Sequence, residues 1–347
     1  MRYGIRGYSV WIEVWLISIV LSVQTRPSLA GPSAGAFLTL GVGARAVGVG
    51  GAVVASTEDG TSFYWNPAGL SFLSKRTVTM MYASLFGIAD ALAGYHAIGY
   101  VQPVREGALS VAWMRLSVDD IPKFPELQYG NSEKRTRRAH DTSLQGDGKP
   151  TSSFSDHEDA LVLSFSKMNA FDLNVGWQFF KMRIEVPMGV NLKFIRYALD
   201  TSSARGVGID LGMQIRFGMD ELLDHPSLGK MALGLAIRDV ANTVITWETK
   251  HEDVILYDMR IGVAYIQSLW FTRGKVMLMW ERKIRHGPQQ RIGMEYLYRD
   301  RLMLRAGYDG VDPAIGTGLR FGAMQCNYAL SFCDLGTIHR LSGALQF

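Results

Sequence analysis

Cysteine is nearly absent, with two residues in 347, Cys326 and Cys333. They stand seven positions apart, about 23 Å along an extended strand at roughly 3.3 Å per residue, against a limit of roughly 7 Å between bridged Cα atoms. A disulfide therefore requires a bend between them, and as two thiols they carry no metal or redox signature. Beyond residue 30 there is no apolar run of roughly 20 residues, which excludes a membrane-spanning helix there. Charge is also nearly balanced, at 36 basic against 32 acidic residues. Catalytic signatures are missing too: no G-x-S-x-G, no H-E-x-x-H, no Walker loop, and seven scattered histidines. The glycines at Gly48 to Gly51 are followed by Ala-Val-Val-Ala and lack the strand and helix of a nucleotide cradle. His157-Glu158-Asp159 alternates faces on a strand and does not converge on an ion. No catalytic role, cofactor or metal is implied.

What the chain does have is apolar content, 48% of residues, and 37 glycines. Residues 1 to 30 read as a secretory signal: Arg2 and Arg6, an apolar run from Trp15 to Val23, and Ser28-Leu29-Ala30 as a small-x-small cleavage site. The alternative is an uncleaved helix, which Glu13 interrupts and which falls short of a span. Cleavage removes three Arg and one Glu, leaving 33 basic against 31 acidic residues and a charge of +2. No nucleic-acid partner follows from such a balance.

From Arg76 onward the period is two. Val207, Ile209, Leu211, Met213, Ile215 and Phe217 share one face, while Gly208, Asp210, Gly212, Gln214 and Arg216 share the other. One face suits lipid, the other a wet or plugged lumen. The pattern predicts an all-β, transmembrane antiparallel β-barrel of about fourteen strands: 76–86, 91–103, 107–120, 158–167, 184–199, 205–218, 230–241, 256–267, 274–285, 289–298, 301–309, 314–321, 323–332 and 337–347. Between Phe171 and Phe180 an extra strand, a longer neighbour and an inserted turn all fit. Arg105-Glu106, Arg299-Asp300 and Gly322 are read as tight inner turns, and 121–157 and 242–255 as long outer loops. Met219 to Gly229 breaks that asymmetry and is expected to hold a short helix. The basic run Lys134 to Arg138 reads first as a solvated loop and second as a contact for anionic lipopolysaccharide. Inward charges, Asp210, Arg216, Glu295 and Arg305, are expected to pair with one another or with the plug, because a buried lone charge is costly. Lining a permeation path is the second reading.

The segment Gly43 to Leu70, G-A-R-A-V-G-V-G-G-A-V-V-A-S-T-E-D-G-T-S-F-Y-W-N-P-A-G-L, is unlike a strand. Its glycines argue against a stable helix near Gly41 to Gly51, while Thr57 to Trp65 suits a short helix ending near Asn66, before Pro67. This block, with Leu233 to Trp247, Gly293 to Tyr308 and the final stretch to Phe347, resembles the PorV/PorQ family of outer-membrane proteins, relatives of the FadL channels. The resemblance implies a hatch inside the barrel, over 31–75, with 76–347 as the wall of a monomeric barrel in a Gram-negative-type outer membrane. Arg45, with Glu58 or Asp59 as acceptor, and Trp65, Asn66 and Pro67 become candidate hatch and gating residues, held by a few specific contacts so that the plug can move. Leu341, Gly343, Leu345 and Phe347 become the signal read by the barrel-assembly machinery. Implied partners are outer-membrane lipid, with secreted proteins if the chain acts as an accessory barrel of type IX secretion, or hydrophobic ligands if it acts as a FadL-like uptake channel. A purely structural barrel is the third reading.

Overall fold

A computed structural model of the protein describes residues 34–347 apart from 86, 88–91, 125–149, 151, 175–180, 270–271, 285–288 and 335. The signal segment 1–30 and the basic run 134–138 lie outside the described residues. The alternating sequence closes on itself as one antiparallel barrel. Its first seven wall strands are β1 (Thr77–Leu85), β2 (Ala93–Val104), β3 (Gly107–Lys123), β4 (Ser152–Lys167), β7 (Met188–Leu199), β8 (Ser202–Gly218) and β9 (Lys230–Arg238). The other seven are β12 (Asp258–Leu269), β13 (Gly274–Lys283), β14 (Gln289–Tyr298), β15 (Leu302–Tyr308), β16 (Pro313–Phe321), β17 (Met324–Cys333) and β18 (Gly336–Gln346). Closure comes from β18 against β1, running from Thr77 opposite Gln346 to Ser84 opposite His339. A closed wall satisfies every ladder hydrogen bond internally, as the hydrocarbon of a membrane demands. No helix among the described residues is long and apolar enough to cross a membrane.

Burial is inverted relative to a soluble protein. Val207, Ile292, Leu304 and Phe165 face out and are about half exposed, at 56%, 54%, 49% and 47%, while Lys193, Asp210, Arg238, Arg260, Glu281, Glu295 and Arg305 are buried inside. An apolar exterior of that extent has lipid as its solvent. The protein is a membrane-type, multi-pass β-barrel.

Four shorter strands complete the sheet. The uncertain stretch after β4 is an inserted hairpin, β5 (Ala170–Asn174) with β6 (Lys181–Glu185), and β7 begins at Met188, later than the expected 184. Periodicity alone cannot distinguish a hairpin that stands off the wall from wall itself. Similarly, 242–255 is a hairpin of β10 (Thr243–Trp247) and β11 (Glu252–Ile255), not an irregular loop, and β10 adds to β8 through Ile245 opposite Gly206. The tight inner turns form as expected. Arg299 and Asp300 both take positive φ, 49° and 56°, the two-residue geometry that matches strand twist. Met219–Leu222 makes one helical turn on the same rim.

Candidate functional site

Residues 34–75 occupy the barrel interior as short helical turns, Ala36–Thr39, Ala44–Gly48, Ser62–Trp65 and Pro67–Phe72, joined by irregular chain. The glycines around Gly41 to Gly51 do not exclude a helix altogether. One turn forms at Ala44–Gly48 because the wall holds it, with the Ala44 N–H donating to Ser342 Oγ at 3.1 Å. The expected short helix narrows to Ser62–Trp65 and ends at Asn66, whose φ of −161° is extended. Asn66 then caps the Pro67 turn by accepting from the Ala68 N–H at 3.2 Å.

The wall receives this segment on glycines. Gly189 faces Gly212 across β7 and β8, Gly234 faces Gly262 across β9 and β12, and Gly293 faces Gly307 across β14 and β15. A Cβ added at Gly189 or Gly212 would collide with Asn66 or Pro67. At Gly234 it would strike the Val54 carbonyl, and at Gly293 or Gly307 the Val49 backbone. Three inward glycine pairs thus form seats for Asn66-Pro67, Val54 and Val49-Gly50. Sequence reading put Gly212 on the lumen side without seeing a role. The available signal was glycine recurring at inward positions, where a lumen open to water needs no small residue.

Charges lock the seated hatch. Arg45 Nη1 lies 3.1 Å from Asp59 Oδ2 and Arg45 Nε lies 3.2 Å from Glu295 Oε2 on the wall. Glu295 also takes Arg305 Nε at 2.5 Å, and Arg305 Nη1 donates to Asn327 Oδ1 at 3.0 Å. Two cations and two carboxylates therefore neutralise each other across the hatch and wall. Burial alone pushes the Arg45 guanidinium pKa down, but the fields of Glu295, Asp59 and Glu58 outweigh it and the net shift is upward. Of the two acceptors expected for Arg45, Asp59 is the one used. Glu58 pairs with Arg216 at 2.7 Å and is 41% exposed.

On the opposite side Lys193 Nζ sits 2.7 Å from Asp210 and 2.8 Å from Asp239. The inward charges Asp210, Arg216, Glu295 and Arg305 are all paired, as the cost of a lone buried charge requires. Several wall side chains also grip hatch backbone. Arg238 donates to Tyr64 O and Arg340 to Leu40 O, both at 2.6 Å, Asn191 donates to Phe63 O at 2.6 Å, and the Val54 N–H donates to Glu281 at 3.1 Å. Asn66, fully buried, donates to Val54 O, Met213 O and Leu235 O. Trp65 Nε1 donates to Val42 O at 2.7 Å within the hatch. The hatch is held at many points, not by a few contacts, and its apolar residues join the main core through Phe37, Phe63, Trp65 and Leu70. The physical reason is that every carbonyl of an irregular segment needs a donor when no water reaches it.

Two of the spaces beside the hatch face opposite rims, and a smaller one of about 180 Å³ lies between Trp65 and the wall at Arg291 and Arg340. The lower, about 330 Å³, is lined by Arg45, Asp59, Met81, Met277, Arg305 and inner-rim residues such as Lys275 and Arg320. The upper, about 340 Å³, is lined by Tyr64, Met114, Lys193, Arg238 and outer-hairpin residues such as Ile255. Phe63 lines both and is 2% exposed. Nothing in the sequence set Phe63 apart from the other aromatics of the block. Among the described residues no group of three or more histidine, cysteine or carboxylate side chains is arranged for a metal, and Cys326 and Cys333 are free thiols. Leu341 and Phe347 are exposed on the wall, 59% each, and Leu345 is 42% exposed; Gly343 lies between Leu341 and Leu345 on the same outer face of β18.

No family model matches the chain, and no curated protein matches it. Among solved structures it is similar to the CymD monoaromatic hydrocarbon channel, at 10% identity and TM-score 0.46 over 89% of this chain and 98% of that one. A TodX monoaromatic hydrocarbon channel mutant gives 10% and 0.44 over 88% and 98%. The Ralstonia pickettii toluene transporter TbuX gives 10% and 0.42 over 88% and 97%.

Proposed function

We propose that the protein is a hatch-closed outer-membrane channel for small apolar or amphipathic molecules, FadL-like in use. The observation that carries this reading is the pair of lumen spaces, one toward each rim, with Phe63 between them. An apolar cavity of about 150 Å³ suffices for benzene, so each space has room for a molecule of one or two rings. Methionine and aromatic walls with a few convergent charges suit a ligand with an apolar body and a polar end. Passage needs a shift of the Ser62–Trp65 turn and leaves the seats on the wall glycines in place.

The test is permeation into liposomes that carry the purified protein. Naphthalene sulfonate entry should exceed that into empty vesicles, and Phe63→Ala should raise it several-fold without loss of folded barrel. Entry no faster than into protein-free vesicles, for both proteins, removes the channel reading.

A second reading rests on the sequence blocks Gly43 to Leu70 and Gly293 to Tyr308, which resemble PorV/PorQ. In it the barrel is an accessory of type IX-like secretion and receives exported proteins at its outer rim. Capture of proteins with C-terminal sorting domains by the intact barrel, together with no solute entry, favours it over the channel.

A further inference from the structure

A line of charge crosses the outer surface of the wall where apolar residues give way. In register across five strands stand Arg115 on β3, Asp159 on β4, Arg196 on β7, Arg205 on β8 and Thr246 on β10. All lie on the lipid-facing parity, one step above Trp113, Leu161, Phe194, Val207 and Val244 along their strands, and together these residues line one shallow groove. Of the apolar members, Leu161, Phe194, Val207 and Val244 are 40%, 41%, 56% and 41% exposed.

Asp159 is already satisfied. It accepts from Arg115 Nε at 2.7 Å, Arg115 Nη2 at 2.9 Å and Trp113 Nε1 at 3.0 Å. That leaves Arg196 and Arg205, exposed and directly opposite each other, with no ion pair to a carboxylate among the described residues. Like charges directly opposed across strands are destabilising, and arginine on a lipid face is costly except near the interface. A single snorkelling arginine solves the second problem by reaching water; two side by side do not solve the first. An anion between them solves both, because guanidinium forks match phosphate oxygens bidentately.

We infer that Arg196 and Arg205 bind the phosphate of a phosphorylated, multiply acylated lipid of the outer leaflet, with its chains along Leu161, Phe194, Val207 and Val244. The leaflet follows from the fold: Arg196 and Arg205 stand a few residues from the β7–β8 turn at Asp200, on the rim that also carries the long connection between β3 and β4, and away from the turns at Arg105-Glu106 and Arg299-Asp300. Those short turns mark the inner side. This inference is independent of what the lumen carries.

The experiment is native mass spectrometry of the full barrel in detergent, titrated with bisphosphorylated lipid A, the same lipid dephosphorylated, and inorganic phosphate. The wild type should retain the phosphorylated lipid, release the dephosphorylated one, and show no stable adduct with inorganic phosphate. Arg196→Gln with Arg205→Gln should weaken retention roughly 30-fold, at about one unit of surface-cation attraction per residue. Lys167→Gln with Lys230→Gln, cations of the inner rim, should leave it unchanged. Folding of each variant is read from the fast-migrating unheated band. Equal retention by a folded Arg196/Arg205 variant, equal binding of the dephosphorylated lipid, or an equal loss in the inner-rim pair overturns the assignment, and a stable phosphate adduct shows an anion site without lipid.

Discussion

Arg45 is the residue through which the hatch and wall share charge, and its environment separates it from its neighbours in sequence. Its side chain is 12% exposed and its two acceptors come from different parts of the fold, Asp59 in the hatch and Glu295 in the wall. Arg45→Ala should cost about 3 kcal/mol in urea unfolding in detergent, the low end for a broken buried pair, since Arg305 still neutralises Glu295. Glu58→Ala should cost below about 1 kcal/mol, because that carboxylate is exposed and its pair is screened. Equal losses would show that the Arg45 network carries no special weight. Sequence adjacency suggested both Glu58 and Asp59 as partners. It could not rank them, since the deciding contact, Glu295, lies on a strand far along the chain.

At the scale of elements, the wall was legible and the seats were not. Alternation specifies a strand locally, which is why Val207 to Phe217 and Gln289 to Tyr298 fall where expected. The β5–β6 hairpin alternates in the same way, and what sets it apart from the wall is that it pairs with itself from Ala170 opposite Glu185 to Asn174 opposite Lys181 and meets β8 only at Glu185 opposite Arg216. The glycine pairs are long-range objects: Gly293 and Gly307 have meaning because Val49 rests on them. Gly307→Ala should force the Val49–Gly50 backbone off its seat and cost about 1 to 3 kcal/mol, as overpacking does. Gly343→Ala faces lipid, where the nearest atom to a new Cβ is 3.9 Å away, and should stay within about 0.5 kcal/mol of wild type. Urea midpoints of the two variants compared side by side decide whether the glycines are seats or merely small.

For the whole molecule, wall and hatch make separable contributions. The barrel's hydrogen bonds run from strand to strand and close through β18 and β1, so the wall has no backbone need of the hatch. Hatch removal instead exposes Arg238 and Glu281, which now bond hatch backbone, to water entering the lumen that can hydrate them, while Lys193 and Arg305 keep their partners on the wall. The most direct measurement is therefore single-channel conductance in planar bilayers of a variant lacking residues 34–70, beside the full chain. A large, steady open conductance in the folded deletion variant, against a closed wild type, is the predicted result. A deletion variant that inserts, folds and conducts no more than wild type would contradict the claim that this segment closes the lumen.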